Sequence, residues 1–189
     1  MISRMGPHSF GASQQGTVLF VVMIVLLILS TLAVVMAKSA ILESRTTSAV
    51  RSAQLAQLAA DSAMNEGRMR IARVAARDGA KAVCTALRCA VRDAGAPTDP
   101  GAYMQTAAAR AAAIPFRLDL AKLQEKDATA QLASSPIYVI EDLGTAASVP
   151  DSPPNRLFRI TAKGFGGTED FTRVVESVYT VAEAATRPN

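Results

Sequence analysis

The chain has little with which to do chemistry. It contains no tryptophan, one histidine (His8) and two cysteines (Cys84 and Cys89), and aromatic residues fill only 5% of its 189 positions. With its one imidazole close to the N-terminus, the rest of the chain lacks the usual general base, the usual partner of a nucleophile and the commonest metal ligand. No catalytic triad, metal cluster or phosphate-binding glycine loop can be traced, so the sequence reads as non-enzymatic and calls for no cofactor. Proline is missing from Thr17 to Ala96, and glycine from Thr17 to Glu66. The two strongest helix breakers are therefore absent from one long stretch, and a long helix is the expectation.

What is present begins with Thr17 to Ala37, TVLFVVMIVLLILSTLAVVMA, a run without a charge. About 20 apolar residues in a helix cross the hydrocarbon layer of a bilayer, so this run is expected to span a membrane. A secretory signal has a shorter apolar core with a small-residue cleavage site behind it, whereas here the small residue, Gly16, stands in front. Met1 to Gly16 is polar and carries Gly6, Pro7 and Gly11, as a removable leader would. The flanking charges do not set an orientation, because Arg4 on one side is opposed by Lys38 and Arg45 on the other.

Beyond the apolar run, Ala49, Ala53, Ala56, Ala60, Ala63, Gly67, Ile71 and Val74 recur at threes and fours and share one helical face. A face this small admits another backbone closely. It suits either packing against neighbouring helices or resting on the chain's own domain. The net charge of +4 is uneven: Lys38 to Arg92 holds ten basic against four acidic residues, and Asp93 to Asn189 nine against twelve. Arg70, Arg73, Arg77 and Lys81 follow one another at threes and fours, and Arg88 and Arg92 continue the series if the helix persists. Such a stripe fits a solvated face, acidic patches on neighbouring subunits, or phosphates. No aromatic is interleaved for base stacking, which makes DNA the minor reading.

The second half is less regular. Gly95 to Gly101 is a turn-rich connector, Ala107 to Ala113 reads as a short helix, and Arg117 to Leu132 is ambiguous between helix and loop. Three β-prone runs follow: Ile137 to Ile140, Leu157 to Lys163, and Thr172 to Val181, with a proline-rich loop at Ser148 to Asn155 and turn residues at Gly164, Gly166 and Gly167. The fold class is α+β. The expected layout is a leader (1–16), a membrane helix (17–37), an amphipathic helical stem (38–95) and a small head (96–189) whose last strands form an antiparallel sheet.

Gln14-Gln15-Gly16 before the apolar run resembles the signal of type IV pilins, which a prepilin peptidase cuts on the cytoplasmic side. The resemblance implies cleavage between Gly16 and Thr17, with Thr17 as the methylated N-terminus. Major pilins commonly carry a glutamate at the fifth mature position. Here it is Val21, as pilins at or near a filament tip tolerate. Leu42, Glu43 and Arg45, followed by Ala59, Ala60, Asp61 and Ala63, resemble the segment after the membrane helix in minor pilins of the PilX type. RLFRITAKGFGG and VVESVYTV resemble that family's closing hairpin, while the middle of the chain resembles nothing recognisable.

The resemblance implies a minor pilin in an initiation or tip complex, partnered by other minor pilins and the major pilin. It would sit in the inner membrane with its C-terminal domain in the periplasm and be assembled into a surface pilus. Pilin helices often carry a proline in the apolar half, and its absence here implies a stiff stem. Alternatives are a type II secretion pseudopilin, a DNA-binding or adhesive pilin at the tip, and a bitopic membrane protein unrelated to pili. Some related pseudopilins bind calcium, but Asp119, Glu125 and Asp127 lack the alternating acidic pattern with a central glycine and read as solvated charges.

In a regular helix Cys84 and Cys89 would point about 140° apart, so a bond between them requires the helix to end or bend, which Gly79 and Gly95 permit. In an oxidising compartment a local disulfide that shapes one loop is the expectation. A redox site would favour closer spacing, and zinc would need two more ligands.

Overall fold

A computed structural model of the chain describes residues 15–119, 122, 125, 131–146 and 154–183. Residues 1–14 of the leader, with His8, Asp127 of the acidic stretch, and Ser148 to Pro153 of the proline-rich loop lie outside these residues. The chain divides into two compact units, Met1–Ser48 and Ala49–Asn189.

Helix α1 runs over Gln15–Asp78, 64 residues, as the long stretch without proline foretells. In the first unit it is the only element described, and its side chains from Val18 to Ser48 are all exposed. It ends before Gly79, whose φ of 82° a residue with a Cβ would resist. The Gly79 amide bonds back to the Ala75 carbonyl at 3.0 Å and closes the last turn. The helix therefore stops short of the cysteines, a point the sequence left open. A 3₁₀ turn over Ala80–Ala82 and the one-turn α2 (Val83–Ala86) follow.

The second unit is a four-stranded antiparallel sheet in the order β1 (Ile114–Pro115), β2 (Ile137–Thr145), β3 (Asn155–Phe165), β4 (Thr172–Ala182). The three expected strands are all present. β2 is longer than the run ending at Ile140, and a two-residue β1 is added at its outer edge. Farther along that edge the Ala90 amide bonds the Ile140 carbonyl at 2.7 Å, so β2 is shielded at two points.

Strand alternation gives the sheet two buried faces. Tyr138, Ile140, Phe158, Ile160 and Ala162 face α1 and meet Ala63 and Ile71 in the main core. Val139 faces the other way, into a smaller core with Ala90, Tyr103, Met104 and Ala109. That second layer is built from α3 (Pro100–Tyr103), whose Asp99 cap accepts the Ala102 amide at 2.7 Å, and α4 (Ala107–Ala112), capped by Thr106.

The small face of α1 is what lets the sheet close on it. Ala56, Ala60, Ala63 and Gly67 are buried, so the soluble part of that face rests on the chain's own domain. A Cβ on Gly164 would lie 2.1 Å from the Ala56 carbonyl oxygen and 2.4 Å from the Ala60 nitrogen. One on Gly166 would lie 2.4 Å from the Ser52 carbonyl oxygen. At these positions helix backbone touches strand backbone. Toward Gly67 the gap widens, and Ile160 and Tyr138 fill it.

Because backbone cannot retreat as a side chain can, Gly164→Ala is expected to cost about 3 kcal/mol in urea unfolding. Gly95→Ala, with nothing within 4 Å of its Cβ, should change stability by less than about 0.5 kcal/mol.

Candidate functional site

The most extended feature is the apolar surface of α1. Its most apolar 18-residue window has a mean hydropathy of 3.2, and none of it is buried. Val18, Leu19, Phe20, Val21, Leu26 and Leu27 are among the side chains more than half exposed. The hydroxyls of Ser30 and Thr31 are satisfied within the helix: Ser30 donates to the Leu26 carbonyl at 2.7 Å and Thr31 to that of Ile28 at 2.8 Å. With these two hydroxyls already donating inside the helix, the surface around them can face lipid or another helix without leaving either donor unpaired. Gly16 and Thr17, the expected processing pair, lie in the first turn of α1.

Cys84 and Cys89 form a disulfide, as expected for a helix that ends before them. The loop turns at Arg88, a non-glycine residue with a φ of 47°. It sends the chain back so that Ala90 forms a parallel bridge with Glu141 on β2, and Arg92 follows two residues later.

Arg92 thereby leaves the basic series. The helix on which it would have continued the stripe stops at Asp78, and its guanidinium is turned inward. Its Nε donates to Glu141 Oε1 at 3.1 Å and its Nη2 to Glu176 Oε2, also at 3.1 Å. Glu141 Oε2 is 3.0 Å from Nη2 but outside hydrogen-bonding alignment, so that contact is ionic only. Arg159 Nε approaches Glu176 Oε1 at 3.4 Å, and Thr161 donates to Glu176 Oε2 at 3.2 Å. Arg92 Cζ lies over the Tyr103 ring, 3.9 Å from its centre. Two cations and two anions thus tie the post-disulfide segment to β2, β3 and β4.

Glu141 is 1% exposed, and burial pushes its carboxyl up, against the pull of Arg92 and Arg159. For Arg92, burial opposes the charge, but Glu141 and Glu176 outweigh it and raise the pKa. Burial also raises the Tyr103 phenol. Sequence reading missed this brace. The available signal was Glu141 directly following Ile137 to Ile140, which marks the end of a strand unless a distant cation is waiting.

The basic stripe is held together only in part. Arg70 and Arg73 share Glu66, at 2.9 and 3.3 Å, and Arg77 holds Asp78 at 2.8 Å. Lys81 lies in the 3₁₀ turn, beyond the helix, 4.0 Å from Glu183. Arg88 rejoins the group by another route, lining a 280 Å³ hollow together with Arg70. Asp119 pairs with Lys122 at 3.5 Å, and among the described residues no cluster of metal-ligating side chains is found.

Residues 89–181 match the family of type IV pilus assembly protein PilX, C-terminal part. The head belongs to the PilX family. The match starts at the second cysteine and reaches β4, so it contains the whole Arg92, Glu141, Arg159 and Glu176 brace. It also takes in the middle of the chain, where no resemblance was recognisable from the residues. No curated protein and no solved structure matches the chain significantly. A PilX-type head carried on a 64-residue helix with an exposed apolar half is a type IV pilus assembly component.

Removing Arg92 leaves Glu141 buried with its charge poorly matched, so Arg92→Met is expected to cost about 3–5 kcal/mol at neutral pH. A carboxyl whose folded pKa is raised stabilises fully below its unfolded value, and that stability is lost as pH rises through the folded value. The deficit of the variant should therefore shrink on acidification below the raised Glu141 pKa. Denaturation at a series of pH values checks both points.

Proposed function

We propose that the chain is a minor pilin subunit of a type IV pilus. It is inserted in the inner membrane with its head in the periplasm, cut by a prepilin peptidase between Gly16 and Thr17, and taken into an initiation or tip complex. The partners in this reading are other minor pilins and the major pilin. The observation that carries it is the pairing of a PilX head with an apolar helix exposed throughout Val18 to Ala37. In the membrane that surface faces lipid, and in the filament it faces other pilin helices. The transfer changes the neighbour from acyl chain to side chain, with close packing supplying the gain.

Val21 supports a place near the tip, since a subunit without a carboxylate there has nothing to pair with the N-terminus of a subunit ahead. The role is structural, without a cofactor or catalytic site. Phosphate recognition by the stripe receives less support, because Arg70, Arg73 and Arg77 each already hold a carboxylate.

A charge in the middle of the apolar run tests the packing role. Leu26→Arg is expected to add about 3 kcal/mol to the cost of residence in lipid or a helix bundle, leaving the head folded while abolishing incorporation into pili. Pilus counts by electron microscopy in a strain deleted for the gene and complemented with either form provide the readout. Full piliation with the arginine form would refute the packing role, and normal piliation of the deletion with lost protein secretion would favour the pseudopilin alternative.

A further inference from the structure

Arg88 stands where an arginine is out of place. Its φ of 47° lies in the left-handed region, which glycine enters freely and a long side chain does not. Among the described residues no other non-glycine residue has a positive φ. Arg88 lies within the ring closed by Cys84 and Cys89, so the turn that strains it is covalently clamped. Strained residues of this kind persist where the surrounding structure over-determines them, and they gather at ligand clamps. The molecule makes no internal use of the guanidinium: it is exposed and has no hydrogen bond or ion pair among the described residues.

Arg88 lines its 280 Å³ hollow with Arg70, Leu87, Ile114 and Pro115. Arg70 and Leu87 continue into a second hollow of 250 Å³, whose other walls are Arg73, Val74 and Arg77. Together they form one groove within the range of about 300–1,000 Å³ usual for ligand clefts. Four guanidinium groups meet two carboxylates there, since Arg70 and Arg73 share Glu66 and Arg77 holds Asp78. The groove thus carries two positive charges in excess. Between the charges its surface is apolar, for Val74, Leu87 and Ile114 are half-buried against the main core.

Two excess guanidinium groups over an apolar floor call for a ligand with two acidic groups and an apolar body. Phosphate, free or in a nucleic-acid backbone, offers the charge alone, and against Leu87 and Ile114 it would give up water without gaining a contact. No aromatic side chain among the described residues lines either hollow for base stacking. We propose that this groove docks an acidic segment of another protein, with two carboxylates held by Arg88 and Arg70 and an apolar side chain between them seated on Leu87 and Ile114. The clamped turn keeps Arg88 placed in advance, so less freedom is lost on binding. The proposal goes beyond the function given above by naming a site and its ligand class, and it is tested on the isolated chain, where processing and piliation play no part.

The test is binding of end-blocked peptides to the full-length chain in detergent, read by fluorescence anisotropy. A peptide with a Glu-Leu-Glu core should bind saturably, and one with a Lys-Leu-Lys core should not. Replacing the Leu of the acidic peptide by Ser, or raising salt from about 0.1 to about 1 M, should weaken binding about tenfold. Arg88→Gly should weaken it about tenfold or more while leaving the chain at least as resistant to urea as the wild type, because glycine accepts the positive φ. A merely structural Arg88 would not separate binding from stability in this way. Arg70→Gln, which leaves Glu66 to Arg73, should weaken binding likewise, whereas Arg173→Gln, at an exposed arginine on β4, should not. No saturable binding, indifference to Arg88→Gly and Arg70→Gln, or equal weakening by Arg173→Gln would overturn the proposal. Without peptide binding, retention of duplex DNA that Arg88→Gly abolishes would assign the groove to nucleic acid, and self-association that it abolishes would assign it to a second copy; either overturns the proposal.

Discussion

The backbone of α1 lies directly on the backbone of β3, and the rest of the head depends on that contact. At Gly164 and Gly166 there is no room for a methyl group between strand and helix. Close approach here pivots the sheet onto the helix, and the gap then opens toward Gly67, where Ile160 and Tyr138 pack as a wedge. The alanines of α1 supply little apolar area each, so the core gains its cohesion from the strand residues they admit. The wedge favours this register, since a shift by one turn would set Ile71 in place of Gly67 against Ile160 and Tyr138.

The opposite face of the sheet is fastened by charge. Arg92 reaches Glu141 and Glu176 only because the helix terminates at Gly79 and the disulfide loop returns the chain to the edge of β2. Apolar contact on one face and a partly buried ion cluster on the other divide the work. Packing provides cohesion, and the cluster specifies where the irregular segment after the disulfide must lie. The disulfide loop before that segment carries Arg88, which lines the outer hollow beside Arg70.

Much of this was legible because the decisive patterns are local. The apolar run, the alanine face, the three strands and the short Ala107 helix all follow from periodicity or from turn residues within a few positions. The disulfide was legible too, given a helix that ends early. The brace was not, since its members are drawn from residues 92, 141, 159 and 176, and no spacing announces partners so distant in sequence. Arg92 was read with the stripe because nothing in an alanine-rich sequence shows that the helix stops fourteen residues earlier, beyond a single glycine. The two-residue β1 exists only by pairing with β2 and has no pattern of its own.

A head of the PilX family on a helix with an exposed apolar half supports the proposed role, in which the helix moves between lipid and filament while the head stays outside. That account stands on the leader being removed directly before the apolar run. The intact mass and N-terminal sequence of the chain recovered from membranes, with and without reductant, test it most directly. The account predicts a chain that starts at N-methylated Thr17 and gains two hydrogens on reduction of the Cys84 to Cys89 bond. A chain that still starts at Met1, with both thiols free, would contradict it.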